Sequence, residues 1–531
     1  MFDFKKQTEY LKNRPLLLHA GAVLLLALFS VATVYYLRVI YSPRWLSQIK
    51  GSAVLFAVFT LLYFAFVLRA KLFKDRDEAR FMSCILLILG MVFCFATPPN
   101  QVPDEQSHYL RGVAMARGQW GFDENYIYPD DVNSLIAHFP VSYNNGYPAK
   151  EGNTVYNRFM DYRRAVAAGE KNENSGIIIF QFIPYIPVSA GIFTAGLLGF
   201  GALGAYYGGR LANVLFFCTC AYFALKNSGR WRRVVFSLMA LPLSCFIWAS
   251  CNTDSFLFAL MFLMISCVMG EDIKRGNAMV FSVCFALLCT CKFSYIVFAP
   301  LMLCFDKERW QVKIKGKNVS RLSYAAFTLV LFALVYFGMG LYVSAFSNYG
   351  VIERTMANTS PARQLSYVLS YPARYRVVVW DTLKNNSFFL FSGGLLGWLD
   401  VNLPVISYLT PGLLVWAAAD TAGFVKKGDY KKIAVMFICS ILTYAVVITG
   451  MYLSWTPVEL PQVIGLQMRY MLPAFPGLCM ALARLFSRRY RRREVKGSCG
   501  LVTAEYIFSL WAAFLMLSVY YLPRMAVVFV A

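Results

Sequence analysis

The stretch from Phe81 to His108 reads FMSCILLILGMVFCFATPPNQVPDEQSH. Its first part, Phe81 to Thr97, is apolar and long enough to cross most of a bilayer core, which takes about 20 helical residues. Pro98 and Pro99 cannot continue that helix, because proline lacks the amide proton and clashes with the preceding turn. Asp104 therefore falls at the boundary between water and lipid. A second helix is expected to restart there, since Asp-Glu after proline makes a favourable first turn. Spacings of four and seven put Asp104, His108 and Arg111 on one face of it. An acid, an imidazole and a cation then stand together at an interface where a lone charge is costly. The simpler alternative is that Asp104 only caps the helix.

Composition sets the class around this stretch. The 531 residues are 58% hydrophobic and 15% charged, with a mean hydropathy of +0.52, more apolar sequence than a soluble core uses. The expected fold is an all-α polytopic membrane protein. A net charge of +23 is compatible with a nucleic-acid partner, but the lysines and arginines gather in short loops between apolar runs, where they orient helices. No nucleic-acid partner is expected; the partner common to all the runs is the lipid bilayer. Of the 14 cysteines, all but Cys499 fall in or beside apolar runs, which argues against a disulfide framework. Cys218-x-Cys220 and Cys289-x-Cys291 lack further ligands nearby and read as small core residues.

The basic loops give a topology. Lys5, Lys6, Lys12 and Arg14 precede the first apolar run, Pro15 to about Leu37, which is too long for a signal peptide and places the N-terminus in the cytoplasm. Further spans are expected at 51–69, 81–97, 210–225, 233–250, 254–269, 278–291, 293–305, 322–345, 404–424, 432–453, 470–486 and 501–523, about 13 in all. Alternate crossings then place Arg69 to Arg80, Lys226 to Arg233, Lys274-Arg275, Lys307 to Arg321, Lys426 to Lys432 and Arg484 to Lys496 on the cytoplasmic side, with the C-terminus outside. Gly176 to Gly209, broken by Pro184, Pro187 and many glycines, is read as re-entrant. The chain divides into N-terminal spans (1–97), an outer loop with the Asp-Glu motif and re-entrant segment (98–209), central spans (210–345), a second outer loop (346–403) and C-terminal spans with a further outer loop at 454–469 (404–531).

Function is expected on the outer face, where long ordered segments gather. Pro98 to Ser175 carries ten of the 28 acidic residues. Asp254, Lys292, Asp400 and Arg469 all fall at span ends on that side, with Asp104. Singly each reads more simply as a snorkelling or capping residue, but convergence from five loops suggests a site. Carboxylates there suit a general base or a divalent cation, and Arg210, Lys292 and Arg469 suit a phosphate.

The same residues carry a resemblance. Pro103-Asp104-Glu105-x-x-His108, Gln181-x-x-Pro184-Tyr185-x-Pro187, Arg210-Leu211-Ala212-Asn213, Thr253-Asp254, Lys292-x-x-Tyr295, Gly397-Trp398-Leu399-Asp400 and Gly465-x-Gln467-x-Arg469-Tyr470-x-x-Pro473, in this order, resemble the domain-of-unknown-function 2142 membrane family over about residues 80 to 490. That family resembles the GT-C glycosyltransferases, which take a sugar from a polyprenyl-phosphate carrier on the outer face. The resemblance implies a GT-C-like helix bundle in a bacterial cytoplasmic membrane, with outer loops forming the site. By position it implies Asp104 and Glu105 as catalytic acids, or as ligands of a divalent cation (Mg or Mn) if one takes part. It implies substrate contacts from His108, Arg111, Arg210, Asp254, Lys292, Tyr295, Trp398, Asp400, Gln467, Arg469 and Tyr470. Two departures stand out: Gln106 replaces the usual proline, and Val401-Asn402 replaces Thr-Pro.

Together these readings imply an inverting transfer of sugar from a polyprenyl-phosphate-linked donor to a glycan acceptor, either a cell-surface glycan or its lipid-linked precursor. The alternatives are a non-catalytic polysaccharide-assembly or flippase subunit and a transporter. A transporter places charges near the midplane of broken helices, whereas here they gather at one surface.

Overall fold

The computed structural model describes residues 24, 27, 78–121, 123, 125–139, 155–174, 181–270, 275–305, 310, 312–346, 358–392, 395–396, 401–402, 404–488 and 499–520. The expected spans at 15–37 and 51–69, the segment 175–180, and Trp398 and Asp400 therefore lie outside the described residues or almost wholly so.

Helix α1 (Glu78–Ala96) buries Met82, Ile85, Leu86, Leu89 and Phe93, a stripe at helical spacing, and leaves Leu87, Met91 and Phe95 exposed on the other side. A separate layer follows: α2 (Glu105–Ala116), α3 (Asp130–His138) and α4 (Val155–Ala168). It has its own core, in which Tyr109, Leu110, Val113, Val132 and Leu135 meet Tyr206. After a short 3-10 turn at Ile183–Tyr185, α5 (Ile186–Leu197) leads into α6 (Ala202–Asn227), which returns beside α1.

Helices α5 and α6 meet through glycine. A Cβ on Gly191 would lie 2.2 Å from the Gly208 carbonyl oxygen, and one on Gly208 would lie 2.8 Å from that of Gly191. Only glycine at both positions permits this approach. It sets the start of α5, with Tyr185, against the site.

Helices α7 (Arg232–Ala240) and α8 (Pro242–Trp248) follow, then α9 (Thr253–Met269), which is buried along nearly all its length, and α10 (Arg275–Cys291). Phe293–Cys304 is 3-10 throughout and holds Pro300. Runs of that length are uncommon. A hairpin, β1 (Lys313–Ile314) and β2 (Lys317–Asn318), pairs Lys313 with Asn318 and turns through Lys315 and Gly316, both at positive φ. Then come α11 (Arg321–Phe346), α12 (Pro361–Ser370) and α13 (Pro372–Ser392). A second hairpin, β3 (Leu395–Leu396) and β4 (Val401–Asn402), pairs Leu395 with Asn402. Helices α14 (Pro404–Ala422), α15 (Tyr430–Ser454), α16 (Phe475–Ser487) and α17 (Cys499–Tyr520) complete the bundle.

Five described helical runs are long and apolar enough to cross a membrane: α1, α6, α11, Lys427–Ser454 and Met468–Ser487. Among the described residues this is a predominantly helical membrane architecture; the expected count of thirteen spans includes two that lie outside them. The expected span 233–250 is instead a pair, α7 and α8, bent by 70°. Pro242 removes an amide donor at the break, and Leu241 before it is extended, as a residue preceding proline prefers. Taken as one span, that pair is the sixth. The stretches 254–269, 278–291 and 293–305 form shorter apolar helices. Met468–Ser487 begins as two 3-10 turns around Arg469 and Pro473 before α16 starts.

At the end of α1 far from Thr97, ion pairs tie the basic loops together. Glu78 accepts from Arg232 at 2.9 Å, Arg233 reaches Asp420, and Arg230 meets Asp429 at 2.9 Å.

Candidate functional site

At the other end of α1, two adjacent acids part company. Glu105 is fully buried, and Arg210 donates to both of its oxygens: Nε to Oε1 and Nη2 to Oε2, each at 2.7 Å. The Cys251 amide also donates to Oε1, at 2.9 Å. Arg210 further donates to the carbonyls of Cys94 and Thr97 at 2.7 and 2.6 Å, and of Pro98 at 3.1 Å. This bidentate pair closes the last turn of α1, whose carbonyls have no helical partner, and joins it to α2, α6 and the start of α9. Both groups are satisfied within the protein, so the geometry makes them scaffold.

Asp104 faces the other way. Its backbone is left-handed, with φ of 66°, a conformation that aspartate tolerates better than most residues but that still carries strain. It occupies the N-cap position of α2, yet its side chain makes no capping bond. The capping alternative is therefore excluded. The side chain is 50% exposed, and Oδ2 accepts from Arg469 Nη2 at 2.6 Å. His108 stays close to Asp104, whose carbonyl accepts from the His108 amide at 3.1 Å, but the expected shared face does not extend to Arg111. Arg111 turns instead to the carbonyls of Gln119, Trp120 and Gly121, which it holds as a clamp on the end of α2.

Arg469 is the hub. It donates to the Pro103 carbonyl at 3.2 Å and to the Tyr470 hydroxyl at 3.1 Å, and its Nε lies 3.7 Å from Asp254 Oδ2. That last contact is too long for a hydrogen bond, and Nε has no hydrogen-bond partner. Asp254 sits in the first turn of α9, where the helix dipole favours a carboxylate. Asn252 caps this helix through its carboxamide oxygen, accepting from the Asp254 amide at 2.9 Å, and its amide donates to the Pro103 carbonyl at 2.9 Å. Lys292, between α10 and the 3-10 segment, holds its ammonium 4.7 Å from the centre of the Tyr470 ring. Burial pushes that ammonium below the ordinary lysine range, against the pull of Asp254.

Lys292, Ser294, Tyr295, Arg469 and Tyr470 line a recess beside Asp104 and Asp254, closed by Phe258, Val297, Phe298 and Val447. Beneath Asp104, His108 Nδ1 shares a 2.7 Å hydrogen bond with the Tyr185 hydroxyl. Burial pushes the His108 imidazole down to about 4, with Asp104 opposing and Arg469 assisting, so it is neutral at neutral pH.

Of the residues expected at the site, Asp104, His108, Asp254, Lys292, Tyr295, Arg469 and Tyr470 come together here. Glu105 and Arg210 serve the scaffold beside it. Gln467 immediately precedes the 3-10 turn that carries Arg469 and Tyr470. Asn252 and Tyr185 were missed as site residues. Asn two positions before an acid at the start of an apolar helix is a capping signal and could have revealed the first; the second stands in the Gln181-x-x-Pro184-Tyr185-x-Pro187 motif, which was not read as a site element.

Asp104 and Glu105 also fail to make a cation site as a pair, because each is turned to a different arginine. Among the described residues no group of three or more His, Cys, Asp or Glu is placed to hold a metal ion.

A family model described as Predicted membrane protein (DUF2142) matches residues 87–478, well over half of the chain. The chain belongs to that family. The match takes in every residue of this site, and as a DUF2142 member the protein is a membrane protein. No curated protein and no solved structure matches it.

Proposed function

We propose that this DUF2142 protein is an inverting membrane glycosyltransferase that uses a sugar carried on a polyprenyl phosphate and acts at the outer face of a bacterial cytoplasmic membrane. The observation that carries the reading is Asp104. It is a strained, uncapped, half-exposed carboxylate held by Arg469 at the rim of a recess with two cations and apolar walls. Strain of this kind persists where surrounding structure enforces it, often at functional sites.

In the proposed reaction the acceptor hydroxyl gives its proton to Asp104 as its oxygen bonds to the anomeric carbon. The bond from that carbon to the phosphate oxygen breaks, and the electron pair leaves with the phosphate. Direct displacement inverts the carbon. Lys292 and Arg469 stabilise the charge that develops on the phosphate, and fixed cations in a site shielded from water are effective at this. Arg469 also orients the base. The acceptor is a cell-surface glycan or its lipid-linked precursor.

The test compares surface glycans from a strain lacking the gene with strains rescued by wild type or by Asp104→Asn. Loss of a base lowers the rate by about a hundredfold or more, so Asp104→Asn at normal protein level should leave the glycan as in the deletion. Normal glycan with Asp104→Asn would refute the transferase reading and favour a non-catalytic role in polysaccharide assembly.

A further inference from the structure

We infer that helix α12 and the first turns of α13 form a foot that lies in the plane of the membrane surface and docks there on anionic lipid headgroups. The inference is independent of the transferase reading and concerns a different part of the molecule.

Helix α12 has three sides. Gln364, Tyr367 and Val368 turn to the bundle, where Gln364 is fully buried and the other two pack against the cluster that holds Ile448 and Tyr452. Leu365 and Leu369, four positions apart and therefore on one side, are 45% and 72% exposed. Arg363, Ser366 and Ser370 are exposed on the third side. A helix that turns one apolar and one polar side away from the protein suits neither open water nor a bilayer core. It suits the boundary between them, with the leucines among acyl chains and the arginine and serines in water.

Its height agrees. Tyr444, Val447 and Met451 pack against the same cluster as Tyr367 and Val368, and with Ile448 and Tyr452 they form the last turns of the apolar run Lys427–Ser454. A helix beside the end of a crossing run stands at headgroup level. Aromatic rings that favour this level are exposed around it: Tyr371 between the two helices, Trp380 on α13, which is 67% exposed, and Trp455 just past α15.

Charge chooses the lipid. From 358 to 392 the chain carries Arg363, Arg374, Arg376 and Lys384 against a single acid, Asp381. All three arginines are exposed. The Arg374 guanidinium lies 4.9 Å from the centre of the Tyr371 ring, a contact that keeps its N–H groups available to an anion. Basic residues beside an apolar helix face are drawn to an anionic surface, whereas zwitterionic headgroups offer them no net charge. The foot is also bonded to the loop that leads into Gln467 and Arg469. The Gln364 side-chain oxygen accepts from the Glu459 amide at 2.9 Å, and the Thr382 hydroxyl accepts from the Val463 amide at 3.0 Å. Docking therefore sets the depth of that loop at the membrane.

Quenching by spin-labelled lipids tests this. Leu369→Cys and Ser366→Cys are each labelled with a fluorophore in the full-length protein, which is reconstituted in phosphatidylcholine vesicles; labelled wild type gives the background from native cysteines. A small share of spin-labelled phosphatidylglycerol or phosphatidylcholine is the quencher. The label at 369 should be quenched strongly and that at 366 weakly. Phosphatidylglycerol should quench position 369 about threefold more than phosphatidylcholine does, and added salt should reduce the preference. The combined variant Arg363→Gln, Arg374→Gln, Arg376→Gln should abolish the preference at an unchanged melting temperature, because all three side chains are exposed. Lysine at the same three positions should keep it. Equal quenching by the two lipids overturns the recognition of anionic headgroups, and a preference that survives the glutamine variant overturns the part of the arginines. Weak quenching at 369 by both lipids overturns the docking itself, and energy transfer between two labelled copies would then mark the face as a contact with a second copy. Normal glycan with Asp104→Asn removes the transferase reading and leaves this inference standing.

Discussion

Replacing Glu105 by Gln tests the division between scaffold and site. The carboxylate accepts three hydrogen bonds in a fully buried place: two from Arg210 at 2.7 Å and one from the Cys251 amide at 2.9 Å. Glutamine keeps the shape but offers one oxygen and an NH2 group, so at least one Arg210 N–H faces another donor. The guanidinium is left as a buried cation with no counter-charge. Removing one partner of a buried pair costs about 3–5 kcal/mol. By contrast the Asp104–Arg469 pair has a half-exposed carboxylate, and Asp104→Asn also keeps the left-handed backbone tolerable, so its cost should stay under about 1 kcal/mol. The assay is denaturant unfolding in detergent micelles, followed by tryptophan fluorescence. A double variant, Glu105→Gln with Arg210→Met, removes the stranded cation and should recover part of the loss. It should not recover all of it, because the Cys94, Thr97 and Pro98 carbonyls then lose their donor. A Glu105→Gln protein as stable as Asp104→Asn would refute the assignment of Glu105 to the scaffold.

Three further outcomes are expected. His108 carries a value of about 4 in the folded protein against an ordinary 6.5, so below pH 6.5 the unfolded chain takes up a proton that the folded one does not. Stability is therefore full above about 6.5 and falls as pH drops toward 4, by roughly 3 kcal/mol at most; His108→Asn should flatten this part of the curve, and an unchanged slope would contradict the assignment. Gly191→Leu places side-chain atoms where the Gly208 carbonyl already stands 2.2 Å from a Cβ, so α5 must separate from α6, and loss of thermal stability by more than about 3 kcal/mol is the readout. Arg469→Lys replaces a planar fork by a point charge that cannot reach Asp104, the Pro103 carbonyl and the Tyr470 hydroxyl together, and an in vitro transfer assay should show weakened use of the lipid donor.

The helical membrane class was legible in the sequence because a bilayer acts on local composition: each crossing segment must be apolar and satisfy its own backbone. The expected spans 81–97, 322–345 and 432–453 accordingly lie within or close to helices Glu78–Ala96, Arg321–Phe346 and Tyr430–Ser454. The bend inside 233–250 was not legible because hydropathy registers Pro242 as one more weakly polar residue, whereas the backbone registers a lost donor. Charged residues at the ends of apolar runs were equally visible, since each stands out against its surroundings.

Only tertiary structure decided how those charges pair. Asp104 and Glu105 are neighbours in sequence, but the left-handed turn at Asp104 aims one carboxylate outward while the start of α2 aims the other into the bundle. Their arginines come from 365 and 105 residues further along the chain. No local pattern records such distances, and so none separates the buried clamp from the exposed acid. That separation depends on desolvation, which exists only once α1, α2, α6 and α9 have packed together.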